Sequence, residues 1–226
     1  MLQGLLVSLA VFFLTLLFAL PLALPVALGR MSENWIVRNL VGFYLLIMRG
    51  TPLILQLIFI YFAPKYLYMF LDNSLGALIL SETFWFVIKF LLSYDRFVAV
   101  IIAFVLNYAA YFAEIYRGGI EAIPKGQYEA AKVLGFTKSQ TFYKIVLPQV
   151  IKRILPASGN EVITLVKDTA LAQTIGVAEL FHAAQNAASR EFSTTPIFIA
   201  GLFYLIMNWV VSTVFVKVEK NLSYYS

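Results

Sequence analysis

The sequence predicts an all-α integral membrane protein with five transmembrane helices and a helical hairpin on the cytoplasmic side. Of its 226 residues, 61% are hydrophobic and 13% are charged, whereas a soluble domain is about half apolar and about a quarter charged. The apolar residues form five runs that can cross a bilayer core of about 30 Å, which takes about 20 residues. Most lysines and arginines lie between these runs, on what is predicted to be one side of the membrane.

The predicted spans are single helices that follow one another in one membrane domain, residues 1–226. They cover residues 2–28, 50–71, 97–116, 154–175 and 195–216. Pro21 and Pro25 are expected to kink the end of the first span, which is tolerated where neighbouring helices satisfy the freed carbonyls. The run Phe84–Leu92 is short and is interrupted by Lys89. It is therefore predicted to be an interfacial or packed helix and not a sixth span.

The positions of the cations predict that the N-terminus lies outside and the C-terminus in the cytoplasm. Twelve of the 17 lysines and arginines fall within 29–50, within 117–153 or after residue 216. The first cation, Arg30, follows the first apolar run, so this run lacks the positively charged start of a secretory signal. Cytoplasmic loops carry an excess of such cations, so the net charge of +5 does not call for a nucleic acid partner.

The longest of these cytoplasmic segments contains a predicted helical hairpin. Pro124 suits a first helical turn, Gly135 suits the left-handed residue that ends a helix, and Thr137 suits an N-cap. The predicted helices are Pro124–Leu134 and Lys138–Leu147. They carry more apolar side chains than a hairpin can bury, so this surface either packs on the ends of the protein's own helices or docks on a partner.

The hairpin sequence resembles the EAA signature of ABC-importer permeases. The pattern E-A-A-x3-G-x9-I-x-L-P is matched without a gap. It is formed by Glu129, Ala130, Ala131, Gly135, Ile145, Leu147 and Pro148. Segments such as MRGTPLILQLIFIYF (48–62) and LPASGNEVITLVKDTALAQTIGVAEL (155–180) are similar to the polar amino acid permeases of this family, the histidine, arginine and glutamine type. The resemblance covers nearly the whole chain and is weakest at 64–95.

The resemblance implies a permease subunit of an ATP-driven amino acid importer in the plasma membrane. The loop 117–153 would then hold the coupling helix, which docks on one of two ABC ATPase subunits, and those subunits would bind ATP and Mg. The other implied partners are a second permease, identical or homologous, and an extracytoplasmic amino acid binding protein that docks on 72–96 and 176–194. No cofactor, metal or catalytic residue is expected on this chain, which has no G-x-x-x-x-G-K-[ST] phosphate loop.

Polar side chains inside the predicted spans are candidates for a solute path. Ionisable groups in a span cost about 2.5–3.5 kcal/mol on insertion scales, so they normally face a cavity or a partner. The candidates are Thr51, Gln56, Asn107, Tyr111, Ser158, Asn160, Glu161 and Thr164. Helical spacing puts Asn107 and Tyr111 on one face and Glu161 and Asp168 on another. Of these, Glu161 is predicted to contact a cationic group of the solute.

The remaining charges inside the spans are predicted to have structural roles. Glu114 is expected to pair with the nearby Arg117, and Lys167 and Asp168 are interpreted as structural charges. An alternative interpretation makes all the polar groups helix-to-helix contacts and leaves no path. Alternative functions are a permease of another ABC-importer subfamily, and an ion channel or secondary carrier, which would not need the EAA hairpin. The predicted solute is a polar amino acid, zwitterionic or cationic.

Overall fold

The computed structural model of the protein describes residues 1–75 and 94–222, and in these ranges every regular element is a helix. In chain order they are α1 (Leu2–Arg30), α2 (Trp35–Gly50), α3 (Leu53–Leu75), α4 (Arg96–Glu121), α5 (Lys125–Val133), α6 (Lys138–Thr141), α7 (Leu147–Asp168), α8 (Leu180–Glu191) and α9 (Thr195–Asn221). Helices α1, α3, α4 and α9 are long and apolar enough to cross a membrane. They agree with four of the five predicted spans. The predicted helix Phe84–Leu92 lies outside the described residues.

The fourth predicted span, 154–175, is helical over its whole length, but it does not stand out as apolar. Helix α7 already begins at Leu147, and the backbone narrows to a 3-10 helix over Thr169–Ile175. Its charged residues are Lys152, Arg153, Glu161, Lys167 and Asp168. These charges lower its hydropathy, so its crossing of the membrane remains a prediction.

Helix α4 forms the centre of the bundle. Within its most apolar stretch 61% of the residues are buried, against 6% for α9 at the periphery. The contact with α1 is made by small residues, which let two helix backbones approach closely in a membrane. The buried alanines of the two helices are Ala19, Ala23, Ala27, Ala99, Ala103, Ala109, Ala110 and Ala113. Pro21 and Pro25 both lie within α1, which continues to Arg30.

Helix α2 falls in the segment 29–50, which sequence reasoning treated only as a cytoplasmic loop rich in arginine. It begins at a standard cap, where the Asn34 side chain accepts a hydrogen bond from the Ile36 amide at 2.9 Å. Its outward face exposes large apolar side chains, among them Trp35, Leu40 and Phe43. The helix is thus amphipathic, and its arginines obscured this periodicity.

The two ends of the bundle are held by different contacts. At one end, the fully buried Glu179 accepts hydrogen bonds from the His182 amide (2.6 Å), the Tyr204 hydroxyl (2.9 Å) and the Ser8 hydroxyl (3.3 Å), and so joins α1, α8 and α9. At the other end, the Arg153 guanidinium donates to the Ala122 carbonyl at 2.9 Å. The segment after the 3-10 helix therefore lies at the opposite end of the bundle from the hairpin.

Candidate functional site

The site is built around a break between α2 and α3. Thr51 is extended (φ −122°, ψ 148°), as expected for a residue that precedes a proline, here Pro52. A break at this point leaves backbone carbonyls without helical partners, and such groups must be satisfied inside the protein in a membrane. The Gln56 amide donates to the carbonyls of Met48 (2.9 Å) and Thr51 (3.0 Å), and Asn107 on α4 donates to Met48 at 2.9 Å.

Gln56 and Asn107 therefore hold the α2–α3 junction in place. Asn107 also donates to the Gln56 side-chain oxygen at 3.0 Å, and both residues are buried. Sequence reasoning placed both on the solute path. The structure gives them a further role there, because the Gln56 amide bonds to two backbone carbonyls of the break and the Asn107 amide bonds to one.

An open cleft of about 450 Å³ lies between the α2–α3 junction, α4 and α7. Five of the eight predicted path residues line it, and they come from three separate segments of the chain. They are Thr51, Asn107, Tyr111, Glu161 and Thr164. Apolar lining comes from Pro52, Leu53, Ile54 and Leu171. The cleft thus combines an apolar rim with convergent polar groups, which is the usual character of a small-molecule site.

The other three predicted path residues do not line the cleft. Gln56 lies behind it at the junction. Ser158 and Asn160 are on α7, but on parts of the helix surface that do not face the cavity. The Asn160 carbonyl instead accepts a hydrogen bond from the Thr164 hydroxyl at 3.0 Å.

Asp168 lies in the cleft, where it accepts a hydrogen bond from the Tyr108 hydroxyl at 2.7 Å. It was interpreted from sequence as a structural charge together with Lys167. Lys167 is exposed, and in the described part of the chain it forms no ion pair. Neighbouring residues on a helix point about 100° apart, so Lys167 is directed away from the cleft that Asp168 faces.

Tyr108 is a functional candidate that sequence reasoning missed. It is buried on α4 against the aromatic rings of Phe104, Tyr111 and Phe112. An apolar context of this kind in the sequence indicates a core residue. Tyr108 could have been identified from its position one turn before Tyr111 on the polar face of α4. This position brings its hydroxyl to the cleft.

Glu161 faces the cleft from the same side of α7 as Asp168, as the spacing of seven predicted. Glu161 is only partly exposed, and among the described residues it has no hydrogen bond or ion pair. A carboxylate in this position is available to a cationic ligand that enters the cleft.

A charge network lies beside Tyr111, outside the lining of the cleft. The Glu114 carboxylate accepts two hydrogen bonds from Arg117, at 3.0 and 2.8 Å, and pairs with Arg49 at 3.1 Å. The Arg49 guanidinium also lies 5.6 Å from the centre of the Tyr111 ring. The predicted pairing of Glu114 with Arg117 is confirmed, and the additional contact with Arg49 connects α4 to the last turn of α2.

The hairpin has the predicted turn and cap: Gly135 adopts φ +76°, and Thr137 forms a reciprocal capping box with Gln140 at 2.9 and 3.2 Å. Helix α5 begins at Lys125, one residue later than predicted, because Pro124 is extended (ψ 138°) and precedes the first turn. Close to the turn, Val133 (87%), Leu134 (73%) and Tyr143 (64%) are largely exposed. The described part of the protein does not cover these three side chains, which together are named the apolar patch of the hairpin.

The predicted second helix, Lys138–Leu147, does not end at Leu147. Helix α6 passes through a π-helical turn at Phe142–Val146 directly into α7. A proline in a regular helix interior clashes with the carbonyl four residues before it, so a regular α-helix would end before Pro148. The wider π turn is a known way to interrupt an α-helix locally, and the Gln149 amide satisfies the Ile145 carbonyl at 2.8 Å.

The residues of the EAA pattern occupy both sides of this turn. Glu129 and Ala130 are exposed on α5, whereas Ala131 is buried. Ile145, Leu147 and Pro148 are half-buried where the π turn joins α7. The pattern therefore marks the hairpin and its connection to α7, the helix that carries Glu161 and Asp168.

Comparison with known proteins places this architecture in one family. Residues 19–224 match the family model described as the binding-protein-dependent transport system inner membrane component. The nopaline transport system permease protein NocM of Agrobacterium fabrum is 37% identical over 94% of this chain and 83% of its own length. The arginine ABC transporter permease protein ArtM of Haemophilus influenzae is 33% identical, over 97% of this chain and 90% of its own.

Solved structures agree with the sequence relatives. A crystal structure of an amino acid ABC transporter with histidines contains a chain that is 31% identical, with a TM-score of 0.78 over 97% of this chain and 92% of that one. The MetNI methionine ABC transporter in an inward-facing conformation has a TM-score of 0.70 at 19% identity, over 98% and 95% of the two chains. The second similarity supports the fold alone.

Proposed function

The chain belongs to the family of binding-protein-dependent transport system inner membrane components, and on this basis we propose that it is the membrane subunit of an ATP-driven importer for a polar amino acid. The observation that carries the proposal is the polar cleft, in which Glu161, Asp168 and Tyr111 face the break between α2 and α3. Relatives named as amino acid permeases, such as ArtM, support the same class of solute.

The chemistry of the cleft favours a solute with a cationic group. Two carboxylates face the cavity, and Glu161 has no partner among the described residues. Hydrogen bonds to a charged group contribute about 1.5–3 kcal/mol, so an ammonium or guanidinium placed here would be bound with preference. Glu161 is proposed to contact the α-amino group or a basic side chain, while Thr51, Tyr111 and Thr164 supply neutral hydrogen-bonding groups.

Energy for transport is proposed to come from a partner ATPase, with ATP and Mg bound there. The exposed apolar patch of the hairpin is the proposed docking surface. Because α6 continues through the π turn into α7, movement of a docked ATPase would be transmitted to the helix that carries Glu161. Two ATPases and a second permease, identical or homologous, complete the proposed assembly.

The proposed orientation places the hairpin and the C-terminus in the cytoplasm and the N-terminus outside. Twelve of the 17 lysines and arginines fall within 29–50, within 117–153 or after residue 216, and the positive-inside rule assigns such segments to the cytoplasm. The segment 176–194 lies at the opposite end of the bundle. It is proposed to receive the external amino acid binding protein, together with the segment 72–96, most of which lies outside the described residues.

Solute binding to the purified complex tests the proposed function. The chain is co-purified with its ATPase, and the bound small molecules are identified by mass spectrometry after denaturation. We expect one or a few polar amino acids in about stoichiometric amount, with reduced retention in Glu161→Gln. Retention of inorganic ions alone, with no amino acid at any concentration tested, would contradict the proposal.

A further inference from the structure

A second cavity, the outer basin, lies at the end of the bundle that is remote from the hairpin. It is formed by α3, by the start of α4 and by the segment that follows the 3-10 helix. Its volume is about 530 Å³. Its polar lining consists of Tyr61, Lys65, Tyr94, Asp95 and Arg96. Neither the predicted solute path nor the hairpin accounts for this group.

Arg96 is held in a fixed position by two neutral partners. Its Nε donates to the Tyr61 hydroxyl at 3.3 Å, and its Nη1 donates to the Gly176 carbonyl at 3.3 Å. Gly176 has φ +79°, and a Cβ atom there would lie 2.7 Å from Arg96 Nη1. A guanidinium has five N–H donors in a planar fork, so Arg96 keeps donors that can form paired bonds to an anion.

Lys65 contacts the same tyrosine. Its Nζ lies 3.9 Å from the centre of the Tyr61 ring. The nearby Asp95 uses its carboxylate to cap α4, by accepting from the Val98 amide at 2.8 Å. Within the part of the chain that the structure describes, neither Lys65 nor Arg96 forms an ion pair. With two cations and one carboxylate, the described lining of the basin carries net positive charge.

The outer basin and the cleft lie along the same two helices. Tyr61 in the basin is seven residues from Ile54 in the cleft, and Phe97 is eleven residues from Tyr108. These spacings put each pair on one helix face, about 10–16 Å apart at 1.5 Å per residue. A solute that moves along α3 and α4 would therefore meet cations first and the carboxylates of the cleft second.

We propose that Lys65 and Arg96 bind the α-carboxylate of the transported amino acid at the outer end of its path. This inference rests on the proposed function and adds a first binding position to it. The basin and the cleft are about 10–16 Å apart along these helices, which is farther than an amino acid reaches from its α-carboxylate to its amino group or to the end of a basic side chain. One solute molecule therefore cannot reach both the basin and Glu161. The two sites are successive positions.

Thiol labelling in the basin tests this site without using transport as the readout. The chain has no cysteine, so Ala178→Cys, at an exposed position of the basin lining, introduces a single thiol. The full chain is reconstituted with its ATPase in nanodiscs. The labelling rate is then measured with an anionic and with a cationic methanethiosulfonate reagent.

We expect the anionic reagent to react faster than the cationic one, and L-arginine or L-glutamine to slow this reaction. The α-amides of the same amino acids lack the carboxylate and should not protect. Lys65→Gln with Arg96→Gln should remove both effects, and Lys217→Gln, near the end of α9 and outside the basin lining, should leave them unchanged. Equal protection by amino acids and amides, or a loss of both effects in Lys217→Gln only, would overturn the inference.

A further experiment distinguishes a carboxylate of the solute from a carboxylate of the binding protein. Protection by the purified binding protein without any amino acid would assign the carboxylate to that protein and overturn its assignment to the solute. Uptake by the same assembly separates this inference from the proposed function. ATP-driven amino acid uptake without carboxylate-dependent protection would reject only the basin, and absence of that uptake would reject the proposed function itself.

Discussion

Glu161 is the side chain whose chemistry most directly links the cleft to a solute. It lines the cavity and has no partner among the described residues. Glu161→Gln keeps the shape and removes the charge, so we expect transport of a cationic amino acid to fall about tenfold or more, since charged hydrogen bonds contribute about 1.5–3 kcal/mol. Uptake kinetics of the assembled complex measure this. Glu219→Gln, exposed near the end of α9 and outside the cleft, is the control, and an unchanged rate in Glu161→Gln would assign Glu161 to helix packing.

Asn107 has a structural role that can be separated from solute binding. Asn107→Leu would leave the Met48 carbonyl with one partner fewer and the Gln56 side-chain oxygen without its donor. We expect the free energy of unfolding to fall by about 1–3 kcal/mol, the cost of an unsatisfied buried polar group. Thermal melting of the purified chain measures the loss. Asn186→Leu, at an exposed position of α8, should leave the melting temperature nearly unchanged, and equal melting of both variants would refute the role.

For single residues, helical periodicity predicted which side chains share a helix face, but not which groups they contact. Periodicity placed Glu161 with Asp168 and Asn107 with Tyr111 on shared faces, and all four line the cleft. It could not indicate that Gln56 and Asn107 bond to the α2–α3 junction, because that contact depends on how α4 packs against a break in another segment. Nor could it indicate Tyr108, whose hydroxyl reaches Asp168 from an aromatic core.

At the scale of elements, the turn of the hairpin provides a test of docking. Gly135 has φ +76°, and no atom lies within 4 Å of the point that a Cβ atom would occupy, so the strain of Gly135→Val comes from the backbone and not from a clash. We expect this variant to lose association with the ATPase while the rest of the bundle stays folded. Co-purification of the ATPase with the variant chain measures this association.

Gly126→Val is the matched control for the hairpin. Gly126 is exposed near the start of α5, also with no atom within 4 Å of its Cβ position, and without a positive φ. Normal ATPase recovery with Gly135→Val, or equal loss with both variants, would show that the turn conformation has no role in docking.

The ends of helices were predictable where the residue that caps a helix acts on its immediate neighbours in the sequence. Gly135 and Thr137 each act within a few residues and adopt the predicted conformations, whereas Pro124 lies just before the helix that it was predicted to begin. The predicted end of the second hairpin helix was wrong. The helix continues past Pro148 through a π turn, and residue propensities do not indicate such a local widening of a helix. Helix α2 was missed because its arginines suggested a loop.

At the scale of the whole molecule, the orientation in the membrane follows from charge alone and can be measured directly. The chain has no cysteine, so Ser189→Cys on α8 and Ser139→Cys on the hairpin each create a single exposed thiol. In intact cells, a membrane-impermeant thiol reagent should label only Ser189→Cys, and Ser139→Cys should react only after permeabilisation. The reverse pattern would invert the orientation.

The fold class was predictable from sequence because lipid constrains it strongly: apolar runs of sufficient length must be helices. Four of five spans were found this way. The fifth predicted span, through α7 and its 3-10 continuation, was harder to assign because the five charged residues of α7 reduce its hydropathy. Of these five, only Glu161 and Asp168 line the cleft.

The central claim is that this chain moves a polar amino acid only when an ATPase drives it. The most direct measurement is uptake of radiolabelled amino acids into proteoliposomes that contain the chain, its ATPase and its binding protein, with ATP supplied on the hairpin side. We expect accumulation against a gradient that requires ATP and stops when the ATPase is omitted. Amino acid or ion flux through the chain alone, at the same rate with and without ATP, would contradict the claim and identify a channel or secondary carrier.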